Sequence, residues 1–315
     1  MPPRTRHRSR PNPTALVRGS PAARPTNVHS PSTPSDPPVI DVDVVTDDPS
    51  TFLPADDLAD LRRAQSLLAS PGVAVRFANL IGTPIEHGIQ QLPAGAGRII
   101  QRATRSALQQ ALRVALVSLG PATRPRPENR FHKVLAGASG AVGGAFGLAA
   151  LPVELPVSTT LILRSVAQIA ASEGHDLASL ETRLACLEVF ALGGNGARDD
   201  AGETSYWMIR AALSKLVADA ASILAGRAAA LESTPIALRF VSAVAARFGV
   251  VVSQQAAAKA VPILGAAAGA AINVVFMDHF QKMAQGHFIV RRLEKRHGTD
   301  AVRRAYESLA STSPR

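Results

Sequence analysis

From about Ala55 onward, apolar residues recur at intervals of three and four, and no run alternates or carries enough β-branched residues for a strand. The pattern predicts an all-α, multi-helix bundle. A first helix over 56–70 is stopped by Pro71, and a second over 73–91 is ended by Leu92-Pro93. A third, over 96–119, places Ile99, Ala103, Ala107, Leu112, Ala115 and Leu119 on one broad face, with Arg102, Arg105, Gln109 and Arg113 largely off it. After a proline-rich linker from Pro121 to Pro127 and a central apolar region, His175-Asp176 marks the start of a helix with Leu177, Leu180, Leu184, Leu187 and Ala191 at helical spacing, ended by Gly193-Gly194. Helices over 201–231, 236–257 and 261–297 come next, and Thr299-Asp300 caps a short last one after Gly298.

The central region departs most from an ordinary amphipathic pattern. Between Val134 and Leu163 Glu154 is the sole formal charge, Gly137, Gly140, Gly143, Gly144 and Gly147 crowd the first half, and Pro152 and Pro156 interrupt the second. This reads as a Gly-rich apolar helical hairpin, two arms joined at a polar break. Gly140 with Gly144, and Gly143 with Gly147, are four apart and form adjacent small-residue stripes that let another backbone approach closely. The segment VPILGAAAGAAINVVFM at 261–277 repeats the interval at Gly265 and Gly269, so the two glycine-striped helices are expected to pack together. Exposed helical glycine costs about 0.8–1 kcal/mol relative to alanine, which argues for packing or lipid around them. Val134 to Val153 just reaches the roughly twenty residues that a membrane span needs, whereas the second arm meets Arg164 too soon. A soluble or peripheral bundle, a shallow re-entrant hairpin and two full spans all remain open at this point.

Charge divides the chain. Residues 1–24 carry six arginines and no acid, residues 25–61 carry eight aspartates and no Lys or Arg, and because these blocks sum to −2 within a net +10, the remainder holds +12. The first 55 residues are rich in Pro, Ser and Thr and are expected to form a disordered extension ahead of a helical domain over 56–311. No apolar segment comes after the N-terminal arginines as a secretory signal would require, and the single cysteine, Cys186, fits a reducing compartment and a buried position. A cytoplasmic location, with attachment to the inner face of a membrane, is expected. Arg291, Arg292, Lys295 and Arg296 form a basic patch suited to anionic lipid. Nucleic acid is disfavoured because no reader motif or stacking platform accompanies the patch.

Signs of catalysis are sparse. Glu154 and Arg164 are about 15 Å apart along a helix, so each needs a partner elsewhere: Glu154 suits a positive helix start, and Asp278 is the candidate partner for Arg164. Asp278, His279, Glu154 and Arg164 are the only group from which a hydrolase-like site could be assembled. His279 and His287 lie too far apart for one metal, and the Asp199, Asp200, Glu203 cluster reads as an acidic first turn. Ser139 and Ser158 have no preceding strand to present a nucleophile, and GGNG at 193–196 is a helix end and turn. No cofactor and no metal is expected.

Several long segments resemble the EcsC protein family: GTPIEHGIQQLP at 82–93, AGASGAVGGAFGLAALPVELPVSTTLILRSVAQIAASEGHDL at 136–177, TRLACLEVFALGG at 182–194, and KAVPILGAAAGAAINVVFMDHFQKMAQGHFIVRRLE at 259–294. The resemblance runs over about 58–310. It implies a bacterial helical protein, named from an operon that encodes an ABC transporter, with no catalytic residues to carry over. It further implies a non-catalytic accessory or interaction protein at a membrane, linked to transport, with a membrane surface or a membrane protein as partner. An enzyme built on the four polar residues is the alternative.

Overall fold

The computed structural model describes residues 53–119, 133–134, 137, 147–194, 202–223, 234–260 and 265–312. Helices fill them in the order α1 (Ala55–Leu68), α2 (Val73–Ile81), α3 (Ile85–Gln90), α4 (Ala96–Val117), a 3-10 turn (Gly147–Ala150), α5 (Leu151–Ser172), α6 (Leu180–Leu192), α7 (Gly202–Ile223), α8 (Pro235–Ala260), α9 (Gly265–His297) and α10 (Thr299–Thr312), with no strand among the described residues.

Local chemistry accounts for most boundaries. Where one helix over 73–91 was expected, Gly82 adopts φ +70° and Pro84 comes shortly after, so the chain turns and restarts as α3. Pro152 and Pro156 do not break the apolar run as expected. Pro152 sits in the first turn of α5, where its missing N–H costs nothing, and Pro156 lies inside the helix. The helix expected to begin at His175-Asp176 starts at Leu180 instead, because the Asp176 carboxylate accepts the Ala178 N–H at 2.8 Å and closes a turn there. In α4 the buried face is one residue out of register with expectation at its start: Ile100 is buried and Ile99 is exposed.

Two long helices organise the bundle. α8 packs against α2, α3, α4, α6 and α7, while α9 packs against α1, α5, α6 and α10, and α4 lies extensively along α5. At their junction Phe190 of α6, Phe248 of α8 and Phe276 and Phe280 of α9 form a fully buried cluster with centroids 5.0–6.1 Å apart. Few aromatics are present, and these four sit at the centre, where offset ring pairs add to area burial.

Glycines set several of the crossings. A Cβ on Gly88 of α3 would stand 2.3 Å from the Ala257 carbonyl oxygen of α8, and one on Gly286 of α9 would stand 2.9 Å from the Ala64 oxygen of α1. Gly137, the glycine of the apolar run whose surroundings are described, faces Ala270 and Val274 of α9, with its Cβ position 3.4 Å from Val274 Cγ2. Gly269 is buried on the same helix, whereas Gly140, Gly143 and Gly144 lie outside the described residues. Gly147 opens the 3-10 turn and Gly265 opens α9. Gly88→Ala is expected to destabilise the fold by about 1–3 kcal/mol through overpacking. Gly249→Ala, whose Cβ meets nothing within 4 Å, is expected to stabilise it by about 0.5–1 kcal/mol. Urea titration of the two variants checks both signs.

Candidate functional site

Glu154 occupies the first turn of α5, yet its carboxylate turns across the bundle rather than capping its own helix. Oε1 accepts from Lys259 Nζ of α8 and from Asn273 Nδ2 of α9 at 2.8 Å, and Gln255 Nε2 donates to Asn273 Oδ1 at 2.7 Å. All four side chains are buried, and burial lowers the Lys259 pKa against the opposing pull of Glu154. The network joins the three helices α5, α8 and α9 at one point.

Asp278 does not pair with Arg164. Its carboxylate takes Arg76 of α2, Lys133 at 2.5 Å and Lys282 at 3.3 Å. Although partial burial raises its pKa, hydrogen bonds from Lys133 and Arg76 and their charges bring it down to about 2. Arg164 is exposed and donates to Ser118 Oγ at 3.3 Å. His279 is buried, and its Nε2–H donates to the Gly193 carbonyl at 2.9 Å, which ties α9 to the end of α6; burial pushes its pKa down to about 4. Glu154, Arg164, Asp278 and His279 therefore have separate partners, and the structure does not assemble them into one site. Cys186 is fully buried and its thiol is pushed up to about 12, an inert position.

The basic patch is largely committed within the fold. Arg291 pairs with Glu181 at 2.5 Å, Arg292 with Asp60 at 2.8 Å and Glu173 at 3.0 Å, and Arg296 with Asp57 at 2.6 Å, while Lys295 is exposed. Among the described residues no group of three or more His, Cys, Asp or Glu side chains is placed to hold a metal ion. Asp199 and Asp200 fall outside them, as does the side chain of Glu203.

A cleft of about 840 Å³ opens between α6, α7, the end of α9 and the start of α10. Arg210 and Glu294 face each other across a two-pronged ion pair, both bonds 2.8 Å, along one wall. Glu188 lines the cleft from α6, and burial raises its carboxyl pKa despite Arg291 and Arg210 nearby. Behind it, fully buried His287 lies with Nε2 3.6 Å from Glu188 Oε2 and Nδ1 3.3 Å from the Tyr206 hydroxyl. Desolvation, reinforced by Arg210 and Arg291, holds that imidazole neutral. Trp207 stands beside them with the Arg210 guanidinium 5.2 Å and that of Arg303 6.0 Å from its ring centroid. Glu188 Oε2, His287 Nε2 and the Trp207 indole nitrogen are buried without a hydrogen-bond partner. Glu188 Oε2 and His287 Nε2 face each other just beyond hydrogen-bond range, so this part of the lining is polar as well as enclosed.

Sequence reasoning passed over this cleft. Glu154 stands out as a charge inside an apolar run, and Glu188, between Leu184 and Leu192, is anomalous in the same way. Arg210 and Glu294 are 84 positions apart, and their spacing gives no hint of contact.

The EcsC protein family matches residues 77–293. No curated protein and no solved structure matches the chain.

Proposed function

Because the chain belongs to the EcsC protein family, we propose that it is a membrane-associated accessory protein that docks through the outer face of α8 without catalysing a reaction. One observation carries this reading. α8 is long enough to cross a bilayer, and its most apolar 18 residues have mean hydropathy 1.7, yet only 39% of that stretch is buried in the fold. Its exposed side runs Leu238, Ser242, Ala246, Val250, one residue every four, bordered by Arg239 and Arg247. Apolar surface left open along a core helix suits lipid or another apolar helix better than water.

Attachment through this face is favoured over threading. α5, over Leu148–Ser172, also passes the length and composition test, but it is half buried and is tied to α8 by the enclosed Glu154–Lys259 pair. Pulling the two helices into hydrocarbon would separate that pair or carry it along, at a cost of several kcal/mol. The family resemblance is the ground for seeking the partner at the inner membrane face, among transporter proteins.

Cell fractionation tests the reading. The protein is expected in the membrane pellet and is expected to leave it in alkaline carbonate. Ala246→Glu and Val250→Glu are expected to move it to the supernatant with Tm unchanged. Wild-type protein fully soluble before any wash would overturn the proposal, and resistance to carbonate would replace attachment with insertion.

A further inference from the structure

We propose that the exposed arginine face of α4 binds the anionic phospholipid surface of a bilayer. This rests on the reading of the chain as membrane-associated and adds the chemistry of the surface that it meets.

Arg98, Arg102 and Arg105 are exposed, and at 3.6 residues per turn they share one side of α4 with Arg113, all four within an arc of about 80°. The stripe is about 22 Å long at 1.5 Å per residue. Arg98, Arg102 and Arg105 have no hydrogen bond or ion pair among the described residues. Arg291, Arg292 and Arg296, by contrast, each meet a carboxylate.

Among the described residues, no packed neighbour neutralises the stripe. α4 contains no Asp or Glu, and α8, on which it packs, contains none either. α5, its most extensive neighbour, has only Glu154, which is buried against Lys259. α6, the third, has Glu181, held by Arg291, and Glu188, which is buried. Arg164 of α5 and Arg239 of α8 add further exposed positive charge. Charges of one sign with no local partner sum to a potential that attracts an anionic surface.

The stability of the helix does not account for this arrangement. Arg98 stands in the first turn of α4, at the positive end of the helix dipole, whereas α1, α3, α5, α6 and α10 carry acids in that turn. The place of Arg98 is explained by what it meets outside the fold.

The border of the stripe favours lipid over nucleic acid. Ile99, 40% exposed, and Val117, 82% exposed, lie along one edge of it. The headgroup region accepts shallow apolar side chains beside arginine–phosphate contacts, whereas the sugar-phosphate backbone is bound through charge and hydrogen bonds.

The test is sedimentation of the purified full-length chain with vesicles of phosphatidylcholine, alone or with phosphatidylglycerol added. Capture is expected to need phosphatidylglycerol and to fall as salt rises. Arg98→Gln/Arg102→Gln/Arg105→Gln is expected to weaken it about hundredfold, about fivefold per arginine, with Tm unchanged or raised. The corresponding triple lysine variant keeps the charge and is expected to keep most of the capture. Arg62→Gln/Arg63→Gln/Lys215→Gln removes the same charge from exposed positions on α1 and α7 and is expected to have little effect. Residues 1–24 are common to every protein compared, so their arginines drop out of the differences.

Equal capture by both kinds of vesicle, undiminished capture of the triple glutamine variant, or an equal loss in the α1 and α7 variant overturns the proposal. Folded wild-type protein that neither vesicle captures overturns it too. Tighter binding to a DNA duplex of about 20 base pairs than to phosphatidylglycerol vesicles, lost in the same triple variant, reassigns the face to nucleic acid. Val250→Glu separates this proposal from docking through α8. Capture kept in that variant and lost in the triple glutamine variant supports α4 and removes α8, whereas capture by neutral vesicles that only Val250→Glu abolishes supports α8 and removes α4.

Discussion

Lys259→Met is expected to lower stability by about 3–5 kcal/mol, because it leaves the Glu154 carboxylate buried with its charge uncompensated. The Glu154 side chain is only 6% exposed and Lys259 only 4%, so water cannot move in to replace the lost partner. Asn273 still donates at 2.8 Å, but one neutral amide does not balance a full charge. For a helical domain of this size the fall corresponds to roughly 6–20 °C in Tm. Glu154→Leu should cost a similar amount by stranding the ammonium. The double variant Glu154→Leu/Lys259→Met should recover most of the loss, since an apolar pair of similar volume often replaces a buried ion pair at little cost. Guanidinium unfolding of the three proteins yields the coupling directly. Single variants within about 1 kcal/mol of wild type would mean that the pair is hydrated in solution.

Acid is expected to weaken the fold well above the carboxylate range, with His279 as a principal cause. Its pKa falls from 6.5 in the unfolded chain to about 4 in the fold, so between those values the unfolded state binds the extra proton. Stability is therefore full above 6.5 and is lost as the pH drops from 6.5 towards 4, to a total of about 3 kcal/mol from this group. His175 and His287, also lowered, act in the same direction. Glu188 acts in the opposite direction: its raised pKa stabilises the fold below the unfolded value, and that contribution fades as the pH rises through the folded one. Asp278 enters later, its contribution being lost only between 3.8 and about 2. His279→Gln keeps a donor for the Gly193 carbonyl and cannot titrate. Urea midpoints measured from pH 7 to pH 4 should fall less in this variant than in wild type, and parallel curves would remove His279 from the account.

Where the apolar period was long and unbroken, the sequence was enough. The bundle, the proline and glycine stops at Pro71, Leu92-Pro93, Gly193 and Gly298, and the burial of Cys186 all arise from local pattern. Glycine proved less transparent. Paired intervals drew attention to the run from Gly137 to Gly147, whereas isolated Gly88 and Gly286 form tight backbone crossings, because what makes a glycine necessary is the partner across the interface. Charges were legible as anomalies but not as pairs. Glu154 and Asp278 stood out from their surroundings, yet their partners Lys259, Arg76 and Lys133 are distant in sequence, and the separation of about 15 Å between Glu154 and Arg164 along one helix held no information on the third dimension. The cleft was the hardest feature to read. It depends on residues from four helices that no spacing rule connects, and although its central carboxyl, Glu188, stands out among apolar neighbours, nothing local shows what faces it.

Trp207 is the sole tryptophan in the chain and it lines the cleft, with two guanidinium groups near its ring. Intrinsic emission from the native protein therefore originates at a single known place, and any change in colour or quenching on mixing reports on that place without a dye or an engineered label.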